Sequence, residues 1–224
     1  MDDPRSLTRA DTPGKRLAWL VGYWLFGLAL RWPVMAINRH LAPSPTRELA
    51  QLALKTALSV LLPALAIRWL VPSASLPESL GLCARGGERR RPRLAVVIAI
   101  LWIAFIYGAS KLLGQASTSI IPASIASGLF MTAHVTVEEI AFRGVILGWL
   151  AADRPFFSAN VITALMFLSM HVPGWLAAGM RVEIVPMSLI LVALALVLGW
   201  VKRLTGNIWL ATLLHLANNA LSGW

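Results

Sequence analysis

Charged residues are scarce in this chain of 224 residues. Asp, Glu, Lys and Arg make up only 13% of it, and 58% of the residues are hydrophobic, whereas about a quarter of an ordinary soluble domain is charged. A chain with so few charges would expose a large apolar surface in water, which excludes a soluble globular domain. The solvent that suits it is a lipid bilayer, in which runs of about 20 apolar residues form spanning helices.

Cysteine and aspartate are also rare. The single cysteine, Cys83, excludes an internal disulfide and a cysteine-rich metal site. Asp153 is the only aspartate after residue 11, so the apolar runs contain no pair of aspartates. They also lack a GxSG serine motif and the HExxH motif that places two zinc-binding histidines on one helical face. These absences argue against an aspartic, a serine and an HExxH-type zinc centre in the membrane.

Seven apolar runs predict an all-α, polytopic integral membrane protein with about seven transmembrane helices. The chain has no internal repeat or low-complexity segment, so residues 1–224 are expected to form a single membrane domain. The predicted spans lie near residues 17–37, 49–70, 94–113, 121–150, 156–178, 184–201 and 205–224. Each is bounded or interrupted by charges, prolines or glycines.

The net charge of +10 is interpreted as a topology signal rather than as a nucleic-acid site. Thirteen basic residues fall in the loops of one side and five in the loops of the other. Because Lys and Arg concentrate on the cytoplasmic side, residues 1–16 are predicted to be a cytoplasmic N-terminal tail and the C-terminus to lie outside. The basic run 85–93 fits the same loop charge, although a patch for anionic lipid is an alternative.

Ionisable side chains inside a membrane are costly and mark a functional site by default. Almost all of them lie in the C-terminal helical bundle, and the first three spans offer little beyond Lys55. The polar residues of the last spans are His134, Glu138, Glu139, Arg143, His171, His215, Asn218 and Asn219. At about 1.5 Å per residue, Glu138, His171 and His215 are predicted to reach similar depths from the cytoplasmic side. The three helices should therefore form one polar site.

Helical spacing separates the two adjacent glutamates. Residues four apart share a face, so Glu139 is predicted to form a structural ion pair with Arg143. Glu138 is rotated by about 100° and is expected to face a cavity beside His134. His134 either packs against a carbonyl or Glu138, or takes part in the site. Asn218 and Asn160 are interpreted as ordinary hydrogen bonds between helices.

Three segments carry a resemblance to a known family. Glu138-Glu-Ile-Ala-Phe-Arg143, Phe167-Leu-Ser-Met-His171 and His215-Leu-Ala-Asn-Asn219 resemble the EExxxR, FxxxH and HxxxN motifs of the CPBP, or ABI, family of intramembrane proteases. This family includes the type II CAAX prenyl endopeptidases. The motifs stand in the family's order, and the resemblance covers residues 120–224, the expected catalytic core helices. The N-terminal half is similar only in being several apolar helices.

The resemblance implies hydrolysis of a peptide bond in the membrane by a glutamate-activated water. It makes Glu138 the general base, assisted by His171, and makes His215 and Asn219 the donors to the oxyanion. Glu139 and Arg143 resemble the family's supporting pair. No cofactor is expected. A zinc site of Glu138, His171 and His215 is an older interpretation of the family, but Asn219 is a poor zinc ligand, which favours the metal-free mechanism.

The expected partners are the lipid bilayer and a membrane-anchored or C-terminal-tail substrate, with no nucleic acid. The compact chain resembles bacterial members, which implies a bacterial inner (plasma) membrane. Sorting tails, signalling peptides and bacteriocin-type peptides all remain open as substrates. A non-catalytic membrane partner or chaperone is an alternative function. A proton-coupled carrier is a further one, although the chain lacks the inverted repeats of such carriers.

Overall fold

A computed structural model describes residues 13–40, 44–71, 74–84, 90–112 and 125–222, and its regular structure there is helical. The α-helices are α1 Pro13–His40, α2 Pro45–Thr56, α3 Leu62–Leu70, α4 Leu76–Ser79, α5 Pro92–Leu112, α6 Ile125–Glu139, α7 Leu147–Asp153, α8 Phe156–Ala177, α9 Ile184–Thr205 and α10 Trp209–Ser222. Of the predicted N-terminal tail, residues 1–12 lie outside the described residues and residues 13–16 already belong to α1.

Two of the long helical rods contain a π-helical segment. Ala57–Leu61 joins α2 to α3, and Ile140–Ile146 joins α6 to α7. The helices α2 and α3 therefore form one continuous rod, and α6 and α7 form another. The two π-helical segments pack against each other. Because π-helical turns are frequent at functional sites, their position next to Lys55 and Glu138 marks these two residues as candidates for such a site.

Each predicted span corresponds to a helix or rod, which confirms the all-α membrane fold. Within the described ranges, four helical stretches are long and apolar enough to cross a membrane. They are Thr46–Leu70, Pro92–Leu112, Phe156–Ala177 and Ile184–Thr205. Their outward faces are apolar, with large exposed side chains such as Leu65, Leu101 and Leu189. The chain is an integral membrane protein.

The boundary between the last two predicted spans is wrong by a few residues. We predicted an end at 201 and a new start at 205, but α9 continues to Thr205 and α10 begins at Trp209. Gly206 ends α9 because it adopts the left-handed conformation, with φ of 80°, and its N–H bonds to the carbonyl of Lys202 at 2.8 Å. The Asn207 side chain then accepts from the Trp209 N–H at 3.2 Å, which starts α10.

The turn after α4 ties the N-terminal half to the C-terminal helices. Gly144 approaches it so closely that a Cβ there would lie 2.1 Å from the Leu80 carbonyl oxygen. The Gly81 carbonyl accepts a bond of 2.9 Å from Ile208, at the start of the last helix. Gly144 is therefore needed for close packing between the second π-helical segment and this turn.

Three of the basic residues that the sequence assigns to one side, Arg16, Arg91 and Arg203, lie at helix ends that contact other helix ends of the same predicted side. Arg16 at the start of α1 pairs with Asp153 at the end of α7, with 3.1 Å between Nη2 and Oδ1. The Arg203 guanidinium lies 4.2 Å from the ring centroid of Phe156, at the start of α8. The Arg91 N–H, in turn, bonds to the carbonyl of Leu204. These contacts agree with the predicted alternation of the loops.

Candidate active site

The Glu138 side chain lines a cavity of about 330 Å³ between α1, α2, α6 and α8. Most of the wall is apolar and includes Phe142 from the second π-helical segment and Met170 from α8. Its polar side chains include those of Gln51, Lys55, Ser59, His134, Glu138 and His171. The expectation that Glu138 faces a cavity is confirmed. A carboxylate at the edge of an apolar cavity is an arrangement suited to acid–base chemistry on an apolar substrate.

Glu139, in contrast, is fully buried and points into the protein. Its Oε1 lies 3.1 Å from Arg143 Nη1, and the two side chains are 0% and 1% exposed. The guanidinium also donates from Nη2 to the Ala195 carbonyl on α9 at 3.3 Å. The predicted ion pair is therefore present, and the Arg143 guanidinium links the rod formed by α6 and α7 to α9.

The same carboxylate orients His215. His215 Nδ1 lies 2.8 Å from Glu139 Oε1, so this ring nitrogen carries the proton and donates it to the carboxylate. His215 Nε2 then lies 3.9 Å from Glu138 Oε2. Glu139 thus fixes the orientation of the ring whose other nitrogen faces Glu138, which is how a buried carboxylate commonly holds a functional histidine.

Phe167 packs against several groups of the site. Its ring centroid lies 4.5 Å from that of His171 and 5.9 Å from that of His215. The Arg143 guanidinium carbon is 4.6 Å from the same centroid. His171 Nδ1 donates to the Phe167 carbonyl at 2.8 Å, so in the neutral ring Nε2 is an acceptor. The phenylalanine of the second motif therefore has a definite packing role.

The two asparagines of α10 differ in their surroundings. Asn218 is buried and accepts from Trp102 Nε1 on α5 at 3.0 Å, which confirms a hydrogen bond between helices. Asn160 likewise donates to the Leu196 carbonyl on α9 at 3.0 Å. Asn219 is half-buried one turn after His215, and it is not among the described residues that line the cavity. The structure therefore places His171 on the same cavity wall as Glu138 and His215 next to Glu138, whereas neither His215 nor Asn219 is among the described residues that line this cavity.

Sequence reasoning missed a fourth member of this group. Lys55, on α2, places its ammonium 2.6 Å from Glu138 Oε1 and 3.3 Å from His134 Nδ1. His134 thus accepts from Lys55, a partner that helical spacing within α6 could not reveal. The one available signal was that Lys55 is a lysine inside an apolar run, which is itself unusual.

Glu138, His171 and His215 do not fit a zinc site in this arrangement. Among the described residues, no three His, Cys, Asp or Glu side chains converge closely enough to ligate one metal ion. The ammonium of Lys55 also occupies the position beside Glu138 Oε1 that a cation would need.

Comparison with known proteins supports the resemblance that the motifs indicated. Residues 125–221 match the family described as type II CAAX prenyl endopeptidase, Rce1-like. The match covers α6 to α10 and less than half of the chain. No curated protein and no solved structure matches the chain. The Rce1-like segment contains all three motifs, and it supports a CAAX-protease-like intramembrane endopeptidase. Lys55 lies outside it.

Proposed function

We propose that the protein hydrolyses a peptide bond of a membrane-anchored or C-terminal-tail substrate with a water activated by Glu138. The observation that carries the proposal is the placement of the Glu138 carboxylate on the cavity wall, with His171 on the same wall and His215 Nε2 3.9 Å from Oε2. All three residues belong to the Rce1-like segment. General bases of this kind must reach both the water and the substrate, which a cavity position allows.

The two histidines have different tasks in this proposal. His171 donates from Nδ1 to a backbone carbonyl, which leaves Nε2 as an acceptor that helps to hold and deprotonate the water. His215 donates from Nδ1 to the Glu139 carboxylate, which holds the ring so that Nε2 faces the oxyanion and donates to it when that nitrogen carries a proton. Donors that are fixed before the reaction stabilise a developing negative charge without reorganisation.

Asn219 keeps its proposed role as a second oxyanion donor on the grounds of the HxxxN motif alone. It lies one turn after His215 on the same helix, so the two side chains share a face. Glu139 and Arg143 are proposed to support the site by holding His215 and the rod formed by α6 and α7 in place.

The apolar wall of the cavity supports an apolar substrate segment rather than a polar loop. The proposed location is a bacterial inner membrane with the N-terminus in the cytoplasm, for which the clustered basic residues at the Arg16 end of the bundle are the support.

The proposal is tested by comparing the membrane and secreted proteomes of cells that carry the wild-type protein or Glu138→Gln. We expect uncleaved substrates, still carrying their tails, to accumulate only with the variant. Identical proteomes at equal protein levels would contradict the proposal and favour a non-catalytic membrane partner.

Chelation tests the metal-free form of the mechanism. We expect the purified full chain to keep its peptidase activity after exhaustive chelation, with no stoichiometric metal found by elemental analysis. The reason is that Glu138 is paired with an ammonium and that the zinc candidates do not converge as ligands. Activity that disappears on chelation and returns with Zn²⁺ would overturn this form of the mechanism.

A further inference from the structure

We propose that Lys55 is the counter-ion of the active centre, supplied by the N-terminal half of the chain. It pairs first with the Glu138 carboxylate and then, without moving far, with the oxyanion that forms beside it. This inference rests on the proposed function, because it assumes that Glu138 is the base.

The contact itself is close and lies on the cavity wall. Lys55 Nζ is 2.6 Å from Glu138 Oε1, a short charge-assisted hydrogen bond. The side chains are 26% and 19% exposed, so both are reachable from the cavity but largely removed from solvent. A charge-assisted pair in such a place is much stronger than a pair on a water-exposed surface.

Each carboxylate of the Glu138–Glu139 pair has its own cation. Arg143 pairs with Glu139 from within the same rod, whereas Lys55 reaches Glu138 from α2. Without Lys55, the Glu138 carboxylate would be a membrane-embedded charge without a permanent positive partner. Such charges are strongly disfavoured. The charge balance therefore assigns Lys55 to the site rather than to general helix packing.

Lys55 also has a donor to spare. An ammonium has three N–H groups, and the described contacts account for two of them, to Glu138 Oε1 and to His134 Nδ1. The third is available to a substrate carbonyl beside Glu138. His134 and Glu138 together fix the ammonium, so this donor is positioned before the substrate arrives.

The proposed reaction transfers one negative charge from the Glu138 carboxylate to the substrate carbonyl oxygen. A water gives its proton to the Glu138 carboxylate while its oxygen bonds to the substrate carbonyl carbon, and the C=O electron pair moves to that oxygen. Glu138 is then neutral and the charge sits on the oxyanion, with Lys55 as its partner. When the C=O re-forms, the C–N bond breaks and the leaving nitrogen takes the proton from Glu138. The carboxylate and its pair with Lys55 are thereby restored.

The first test compares Lys55→Met with Lys55→Arg in the purified full chain. The substrate is an internally quenched peptide that carries a cleavage site from the proteome comparison. Loss of a fixed donor to an oxyanion typically lowers kcat by about a hundredfold, so we expect Lys55→Met to lower kcat to about that extent, with KM changing much less. Lys55→Arg keeps the charge and should recover a measurable part of kcat. Lys111→Met, at the end of α5, is the matched control and should behave as the wild type.

A second measurement applies even where Lys55→Met is poorly folded. The thermal unfolding midpoint is compared for Lys55→Met, Glu138→Gln and the double variant in detergent. We expect Lys55→Met to lower the midpoint clearly in the wild-type background and only slightly in the Glu138→Gln background, because the charge pair is already gone. Equal effects in both backgrounds would overturn the pairing.

The two hypotheses fail in different ways. If Glu138→Gln is inactive and Lys55→Met has the wild-type kcat, the role of Lys55 is wrong and the proposed function stands. If Glu138→Gln remains active, the proposed function itself is wrong.

Discussion

Replacing Arg143 with Met is expected to lower the free energy of unfolding by about 3–5 kcal/mol, the usual cost of leaving a buried charge without its partner. Arg143 is 1% exposed and its partner Glu139 is 0% exposed, so water cannot replace the lost guanidinium. The variant also loses the bond to the Ala195 carbonyl and the contact with the Phe167 ring. Chemical unfolding of the purified protein in detergent measures the effect.

Two further variants separate charge from packing. Arg143→Met combined with Glu139→Gln removes both charges, and it should be clearly more stable than Arg143→Met alone. Arg181→Met, at an exposed position before α9, is the control and should be within about 0.5 kcal/mol of the wild type. A double variant no more stable than Arg143→Met would mean that lost packing, not the unpaired carboxylate, causes the destabilisation.

The features that sequence reasoning predicted well are those that lie within one helix. The Glu139–Arg143 pair joins residues four apart, and the structure contains it. Helical periodicity fixes such neighbours whatever the rest of the fold does. The same periodicity places Glu138 and Glu139 on different faces of the helix, and in the structure Glu138 lines the cavity.

The features that it missed depend on how helices are arranged against one another. Lys55 meets Glu138 across 83 positions of the chain, and nothing in the periodicity of α2 indicates which helix it will face. The bond between His215 and Glu139 is of the same kind. A single sequence therefore predicts which residues share a helical face, but not which other helix that face will contact.

The N-terminal half therefore contributes more than membrane anchoring. Lys55 and the first π-helical segment pack against the motif-bearing rod, and α1 completes the cavity wall with Trp24 and Gly27. Trp24 also donates to Ser169 on α8 at 3.0 Å, close to His171. These contacts explain how a segment outside the matched region can shape the site.

Glu138→Gln is expected to reduce peptide hydrolysis by about 10²–10⁴-fold, the usual contribution of a general base. The amide has the shape of the carboxylate and can still accept from Lys55, but it cannot take a proton from water. The fold should survive, since the amide still accepts from Lys55 and the Lys55 side chain, 26% exposed, can be solvated from the cavity. Cleavage of the quenched peptide under single-turnover conditions measures the rate, and circular dichroism checks the helices.

Glu183→Gln is the matched control, because it makes the same chemical change at an exposed carboxylate next to the start of α9. It should cleave the peptide at the wild-type rate. Glu139→Gln provides a sharper comparison with the neighbouring glutamate, since it removes the acceptor that orients His215 but leaves the base in place. We expect it to retain more activity than Glu138→Gln. The reverse order would assign the base to Glu139 and His215 and make Glu138 the supporting residue.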